Sequence, residues 1–355
     1  MPAPLTADAV RHAPKVVLHD HLDGGLRPQT VLELADEHGY RELPASDAAG
    51  LARWFRQAAD SGSLVQYLET FAHTVGVMQS PEAIHRVARE CALDLAADGV
   101  VYAEVRFAPE LSTASGLAIE AVVEAMVDGF AAGTREAATP IRVGALLCAM
   151  RQADRWTEVA DLVVRYRDAG VVGFDLAGPE IGFPPDRIPE AIAVLDRAGA
   201  HRTIHAGEAA GIDSIRAALD GARAERLGHG VRIADEVADD GTLGPVARRL
   251  LDEQVPLEIA PSSNVQTGAY PSLAAHPVDR LHRLGFAVTV NTDNRLMSGV
   301  SVSSELHDVA TTFRWAWDDV RTVTERALAA AFLSKDERDR LLTDVVRPGY
   351  GALSA

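Results

Sequence analysis

Along the chain, short runs of apolar and β-branched residues alternate with longer stretches whose apolar positions return at helical spacing. The runs are Lys15–Leu18, Val100–Phe107, Ile141–Leu147, Val171–Leu176, Arg202–His205, Arg226–Leu227, Pro256–Ile259 and Ala287–Val290. They are continuous rather than alternating, which suits parallel strands covered on both faces. Between them, Pro81–Ala97, Ile119–Thr134, Asp154–Asp168 and Ile212–Gly221 read as amphipathic helices. Proline, serine and aspartate open such stretches, and glycines such as Gly99, Gly170 and Gly199 close them. Eight βα units predict an α/β fold, a (β/α)8 TIM barrel, with 1–355 as a single domain. Two additions stand out: a helical insertion over about 46–78, after the first strand, and a C-terminal helical extension over 303–355.

In such a barrel, chemistry is expected at the C-terminal strand ends. Each run closes on a polar cluster there: HDHLDGG, RFAPE, CAMRQ, DLAGPE, HAGE, GHG, APSSN and NTDN. Composition narrows what the chemistry acts on. The 355 residues carry a net charge of -17, which argues against nucleic acid or an anionic membrane as partner. The first fifteen residues lack the apolar run of a signal peptide, and no later segment is long and apolar enough to span a bilayer. Cys91 and Cys148 lie far apart inside apolar stretches and read as reduced, buried thiols. A cytoplasmic enzyme with a small-molecule substrate is the expectation.

His19 and His21 stand two apart at a strand end, so their side chains share one face, here the barrel interior. An isolated pair of this kind often only caps or packs. Here His205, His229 and Asp293 end three further strands, and five such groups at one rim point to a metal. Three imidazoles and a carboxylate, with room left for water, describe a catalytic zinc site with one ion per chain. The expected ligands are His19, His21, His205 and Asp293. His229, between two glycines, reads either as a further imidazole ligand or as a base that aligns water. Glu208, three residues after His205, would serve a lone helix as an N-terminal acid, but beside a metal it becomes a candidate proton shuttle. Asp175 and Glu104 read as structural carboxylates. His12, His38, His73, His85, His201, His276, His282 and His307 fall on helices or loops and read as surface or packing residues.

With these residues assembled, the chain resembles the adenosine deaminase family of metal-dependent amidohydrolases. The resemblance lies in LHDHLDGGLRP at 18–28, VVYAEVRFAPE at 100–110, GVVGFDLAGPE at 170–180, HAGE at 205–208, RLGHG at 226–230 and VNTDN at 290–294. It implies zinc on His19, His21, His205 and Asp293, with His229 orienting and deprotonating the attacking water. Glu208 would protonate purine N1, the Gly178 N–H would donate to N3, and Asp23 would accept from the ribose 5′-hydroxyl. Relatives acting on free adenine tend to carry Glu at that last position, so Asp23 favours a purine nucleoside. Family members commonly carry a second Asp after the metal Asp, at N7. Asn294 stands there instead and can donate at any pH. Leu64, Tyr67, Leu68 and Phe71 fall on one helical stripe that resembles the family's cover over the pocket, and Met150 matches another apolar pocket position.

The activity implied is deamination of adenosine or 2′-deoxyadenosine, in purine salvage. The short loop Pro109–Gly116 leaves room for a 5′-modified adenosine such as aminofutalosine. A nucleoside-binding member without turnover is disfavoured by the intact Glu208 and His229. A two-metal hydrolase is disfavoured because Lys15 and Lys335 lie away from the strand ends.

Overall fold

In the computed structural model, which describes residues 4–354, eight strands pair side by side in parallel. They are β1 (Lys15–His21), β2 (Val100–Phe107), β3 (Arg142–Met150), β4 (Val171–Ala177), β5 (Thr203–Ala206), β6 (Arg226–His229), β7 (Leu257–Ile259) and β8 (Val288–Val290). Two four-stranded ladders run β1 to β4 and β5 to β8. Parallel bridges Phe174↔Arg202 and Asp20↔Asp293 join them on both sides, so the barrel closes. At the second junction His21 N–H donates to Asp293 O at 2.7 Å and Asp293 N–H to His19 O at 2.9 Å.

Helices cover the outside as the apolar spacing requires, and the C-terminal helix Trp317–Ala330 packs against β8 and β1. The insertion consists of three helices, Ala48–Ala59, Leu64–Glu69 and Phe71–Val77. From Val302 to Ser354 the chain is helical throughout, apart from short turns. Residues 1–3 and 355 of the expected 1–355 span lie outside the described residues.

Strand boundaries depart from the apolar runs in a consistent direction. β1 continues through His19, Asp20 and His21, β3 reaches Met150, and β6 reaches His229. Their C-terminal ends face a polar barrel mouth, so the ladder outlasts the apolar pattern. At the other rim Ile141, Arg202, Pro256 and Ala287 stay outside the strands. The stretch Asp154–Asp168 is helical only over Trp156–Arg165, followed by a 3-10 turn at Arg167–Ala169.

The barrel interior is charged as well as apolar. Arg226, on β6, pairs with Glu104 at 2.5 Å and with Glu258 at 2.7 Å, and its guanidinium lies 3.6 Å from the Phe332 ring centre. Arg106, on β2, pairs with Glu258 and Asp175, both at 2.7 Å. All five side chains are essentially fully buried. Removing one partner from such a network leaves an uncompensated charge in the core, which costs about 3–5 kcal/mol. Arg226→Met is therefore expected to lower the unfolding free energy by about that much in urea titration. A loss well under 1 kcal/mol would show that the network is not holding the barrel.

Candidate active site

The strand ends bring the singled-out polar residues together. His19 Nε2 and His21 Nε2 each lie 3.3 Å from Asp293 Oδ1, and His21 Nε2 lies 3.4 Å from His205 Nε2. Four ligands held tetrahedrally at zinc distances stand about 3.3–3.4 Å apart, so these separations match the edges of one coordination sphere. His19 Nε2 is buried with no hydrogen-bond partner, as a nitrogen whose lone pair serves a metal would be. His19, His205, His229 and Asp293 also offer ligand atoms within 4.8 Å of one another, so His229 borders the same point.

Two carboxylates orient two of the histidine rings. His19 Nδ1 lies 3.1 Å from Glu258 Oε2, and His205 Nδ1 lies 2.9 Å from Asp175 Oδ2. A proton on each Nδ1 satisfies its carboxylate and leaves each Nε2 bare. Burial pushes the Glu258 carboxyl up, but Arg106 and Arg226 outweigh it and hold the group well below the usual carboxylate range. Asp175 is held low as well, by His205 and Arg106 against the push of burial. Asp293 accepts from the Ser263 hydroxyl at 2.6 Å. His229 and Asp293 have φ of 63° and 56°, a left-handed backbone that side chains other than glycine rarely adopt. Such strain, held where two polar side chains must turn into one space, is a mark of functional sites.

Above this cluster opens a cavity of about 450 Å³, within the usual range for small-molecule sites. His21, Asp23, Leu64, Tyr67, Leu68, Phe71, Met150, Gly178, His205, Glu208, His229, Asp293 and Asn294 all line it. Among the residues expected to bind metal or substrate or to act in catalysis, His19 alone is absent from that wall. The apolar stripe is split by a helix break at Thr70, yet both pieces present it to the cavity. Gly178 has φ 105°, a backbone conformation that other residues adopt only under strain, and a Cβ there would also crowd Gln152 Oε1 at 2.5 Å. Asn294 Oδ1 packs against Gly24, where a Cβ would collide at 1.9 Å.

Glu208 is not at a helix terminus, since the next helix begins at Ile212. Its Oε2 lies 3.7 Å from His229 Nε2, and its Oε1 is buried without a partner. Burial first, then the charges of Asp293 and Glu180, raise its pKa well above the usual carboxylate range. A carboxyl kept protonated in this way can donate. Asp23 Oδ1 is likewise buried and unpartnered, and burial pushes its pKa up to about 7.

Some participants were not singled out in the sequence. Glu180 accepts from the backbone N–H groups of Gly207, Glu208, Ala209 and Ala210 at 2.6–3.1 Å and from the Ser214 hydroxyl, and so fixes the loop that carries Glu208. Arg151 donates to His205 O at 2.6 Å. Asn264 and Gln152 also went unmarked individually, although each is the last residue of a polar cluster ending a strand, APSSN and CAMRQ. Ala108, Leu111, Cys148 and Val75 line the cavity but carry no signal beyond ordinary apolar character.

The geometry has close counterparts among known proteins. The family profile described as "Adenosine deaminase" matches residues 14–348. "Adenosine deaminase" of Mycolicibacterium vanbaalenii is 56% identical over 360 residues, covering 99% of each chain. "Adenosine deaminase 1" of Streptomyces coelicolor is 56% identical over 355 residues, covering 98% of this chain and 90% of that one. Among solved structures, an adenine deaminase from Arthrobacter aurescens superposes with a TM-score of 0.84 at 27% identity, covering 94% of this chain and 98% of its own. With that barrel, that rim of histidines and relatives this similar over nearly its whole length, the chain belongs to the adenosine deaminase family.

Proposed function

We propose that this chain, acting as one barrel domain, hydrolyses adenosine and 2′-deoxyadenosine to the corresponding inosine nucleoside and ammonia. The observation that carries the reading is the pairing of a buried, proton-bearing carboxyl, Glu208, with a histidine and carboxylate cluster of zinc geometry on the same cavity wall. A reaction that adds water to an aromatic ring carbon needs both an acid for the ring nitrogen and an activated oxygen. The curated relatives, 56% identical and named adenosine deaminases, support adenosine over a 5′-modified nucleoside.

His19, His21, His205 and Asp293 would hold the zinc ion, and the fit rests on the edge lengths and on the bare Nε2 of His19. Bound there, zinc supplies Lewis acidity of the kind that brings the pKa of water to about 7. The protein's own groups do the rest. Glu208 gives its proton to purine N1, which withdraws electrons from C6. The water oxygen, aligned by His229, bonds to C6 as water's proton passes to the Asp293 carboxylate. That proton then moves to N6, the C6–N6 bond breaks and ammonia leaves, and the C6 hydroxyl returns a proton to Glu208 to give the 6-oxo product. Asn294 donates to N7 and the Gly178 N–H to N3, which holds the ring in plane with Glu208. The low dielectric of the cavity strengthens each of these contacts.

Asp23 would accept from the 5′-hydroxyl through its unpartnered oxygen. No lysine or arginine lines the cavity among the described residues, so a 5′-phosphate would find no cation. Nucleoside, rather than nucleotide, is the substrate class that follows. No helix of the described chain is long and apolar enough to cross a membrane, and we place the enzyme in the cytoplasm on the sequence grounds above.

Glu208→Gln is expected to lower kcat by about 10²–10⁴-fold while zinc content stays at wild-type level, since an amide cannot protonate N1. Steady-state kinetics with metal analysis checks this, and near-normal turnover would remove Glu208 as the acid. Asp23→Ala should weaken kcat/KM for adenosine far more than any residual turnover of adenine, whereas equal losses would mean that no ribose contact is made there. Asp175→Asn should weaken metal affinity about 10–100-fold, measured by competition with a chelator. Unchanged affinity would separate Asp175 from the metal.

A further inference from the structure

Three of the histidines at the barrel mouth fall into two kinds, distinguished by what faces Nδ1, while the fourth, His21, has Asp23 Oδ1 4.0 Å from its Nδ1. His19 and His205 have carboxylates there, as described. His229 instead has an amide: Asn264 Nδ2 lies 3.1 Å from His229 Nδ1. The orientation of that amide can be settled from a backbone group. Val278 N–H points at His276 Nδ1 from 3.1 Å, and a backbone N–H only donates. His276 Nδ1 must therefore be bare. A doubly protonated ring would set two N–H groups against each other, and burial in any case holds the His276 pKa down to about 3. Its single proton lies on Nε2, 3.3 Å from Asn264 Oδ1, which accepts it. That turns Asn264 Nδ2 toward His229, and an amide nitrogen only donates. His229 Nδ1 is thus the acceptor, and the proton of the neutral ring sits on Nε2. Asn264 is fully buried, and His229 and His276 are exposed by 1% and 3%, which leaves little room for water to offer another partner.

We propose that Asn264 and His276 are positioning residues that lock His229 in the Nε2–H tautomer, making it a hydrogen-bond donor to the attacking oxygen rather than its base or a metal ligand. A ring with its lone pair engaged at Nδ1 and a proton at Nε2 has no free electron pair to offer water or zinc. This separates His229 from His21, which the ligand distances alone do not do. The proton that water loses goes to a neighbouring acceptor, and the Asp293 carboxylate, whose ligand atom lies within 4.8 Å of that of His229, is the group placed to take it. The tautomer follows from the relay alone. Only the identity of the atom that His229 addresses rests on the deaminase reading.

The test is the imidazole nitrogen spectrum of the zinc-loaded enzyme labelled with ¹⁵N-histidine. The His229 signals are identified by their loss in His229→Gln or their movement in Asn264→Asp. The expected result is an unprotonated Nδ1 and a protonated Nε2. Asn264→Asp offers Nδ1 a carboxylate and should move the proton there. It should also lower kcat about 10²–10³-fold, as loss of one donor to a developing oxyanion does, with KM and zinc content little changed. His276→Gln can keep both of its bonds, through Oε1 and Nε2, and should preserve the wild-type tautomer. A wild-type His229 protonated on Nδ1 would overturn the proposal, as would a tautomer flip in Asn264→Asp that leaves kcat intact. If the wild-type enzyme fails to turn over adenosine, the deaminase reading falls, and the spectrum still decides the tautomer.

Discussion

The structure hangs on one buried guanidinium. Arg106 stands between Glu258 and Asp175, and those two carboxylates hold the Nδ1 sides of His19 and His205. Four strands, β1, β4, β5 and β7, are thereby tied to a fifth, β2, through side chains alone. Asp175 takes its guanidinium partner from Arg106, Glu258 shares Arg106 with Arg226, and both carboxylates must stay ionised for the two histidines to present a bare Nε2 inward. A buried ion network of this kind contributes little net stability compared with apolar packing. What it contributes is direction: it sets which nitrogen of each ring faces the mouth.

The same logic of direction runs through the loops. Glu180 gathers four successive N–H groups after β5, and the carboxyl of Glu208 is the side chain that this turn delivers. His229 and Asp293 sit in strained left-handed backbone that carries their side chains into a shared space. Above them the insertion contributes an almost wholly apolar wall, with Val65 59% exposed at its rim. Burial there does two things at once. It keeps Glu208 protonated, and it strengthens every polar contact made to a ligand beneath the cover.

Much of this was legible in the sequence because barrels place function at strand ends. The eight apolar runs located the strands, and the polar clusters that follow them located His19, His21, His205, His229, Glu208 and Asp293. The apolar runs alone stop short of the ends of β1 and β6, but the expectation that His19 and His21 end one strand and His229 another holds, whereas Asp293 lies beyond the end of β8 at Val290 rather than on it. Asp175 and Glu104 read as structural carboxylates in the sequence, and the structure gives each a definite partner, His205 for one and Arg226 for the other. Asn264 and His276 are a different case. Their roles depend on which atom of one faces which atom of the other, and no spacing along the chain encodes that. His276 did read as a packing residue. It is one, but its packing carries a directed hydrogen bond.

The central claim is that three imidazoles and one carboxylate hold a single zinc ion while a fourth imidazole, at the same rim, stays off it. Anomalous diffraction from crystals of the protein, recorded on both sides of the zinc edge, tests this directly. The expected result is one peak about 2.0–2.2 Å from the Nε2 atoms of His19, His21 and His205 and from Asp293 Oδ1, with His229 Nε2 outside coordination distance. No peak at the barrel mouth, or a peak bonded to His229 in place of His21, would contradict it.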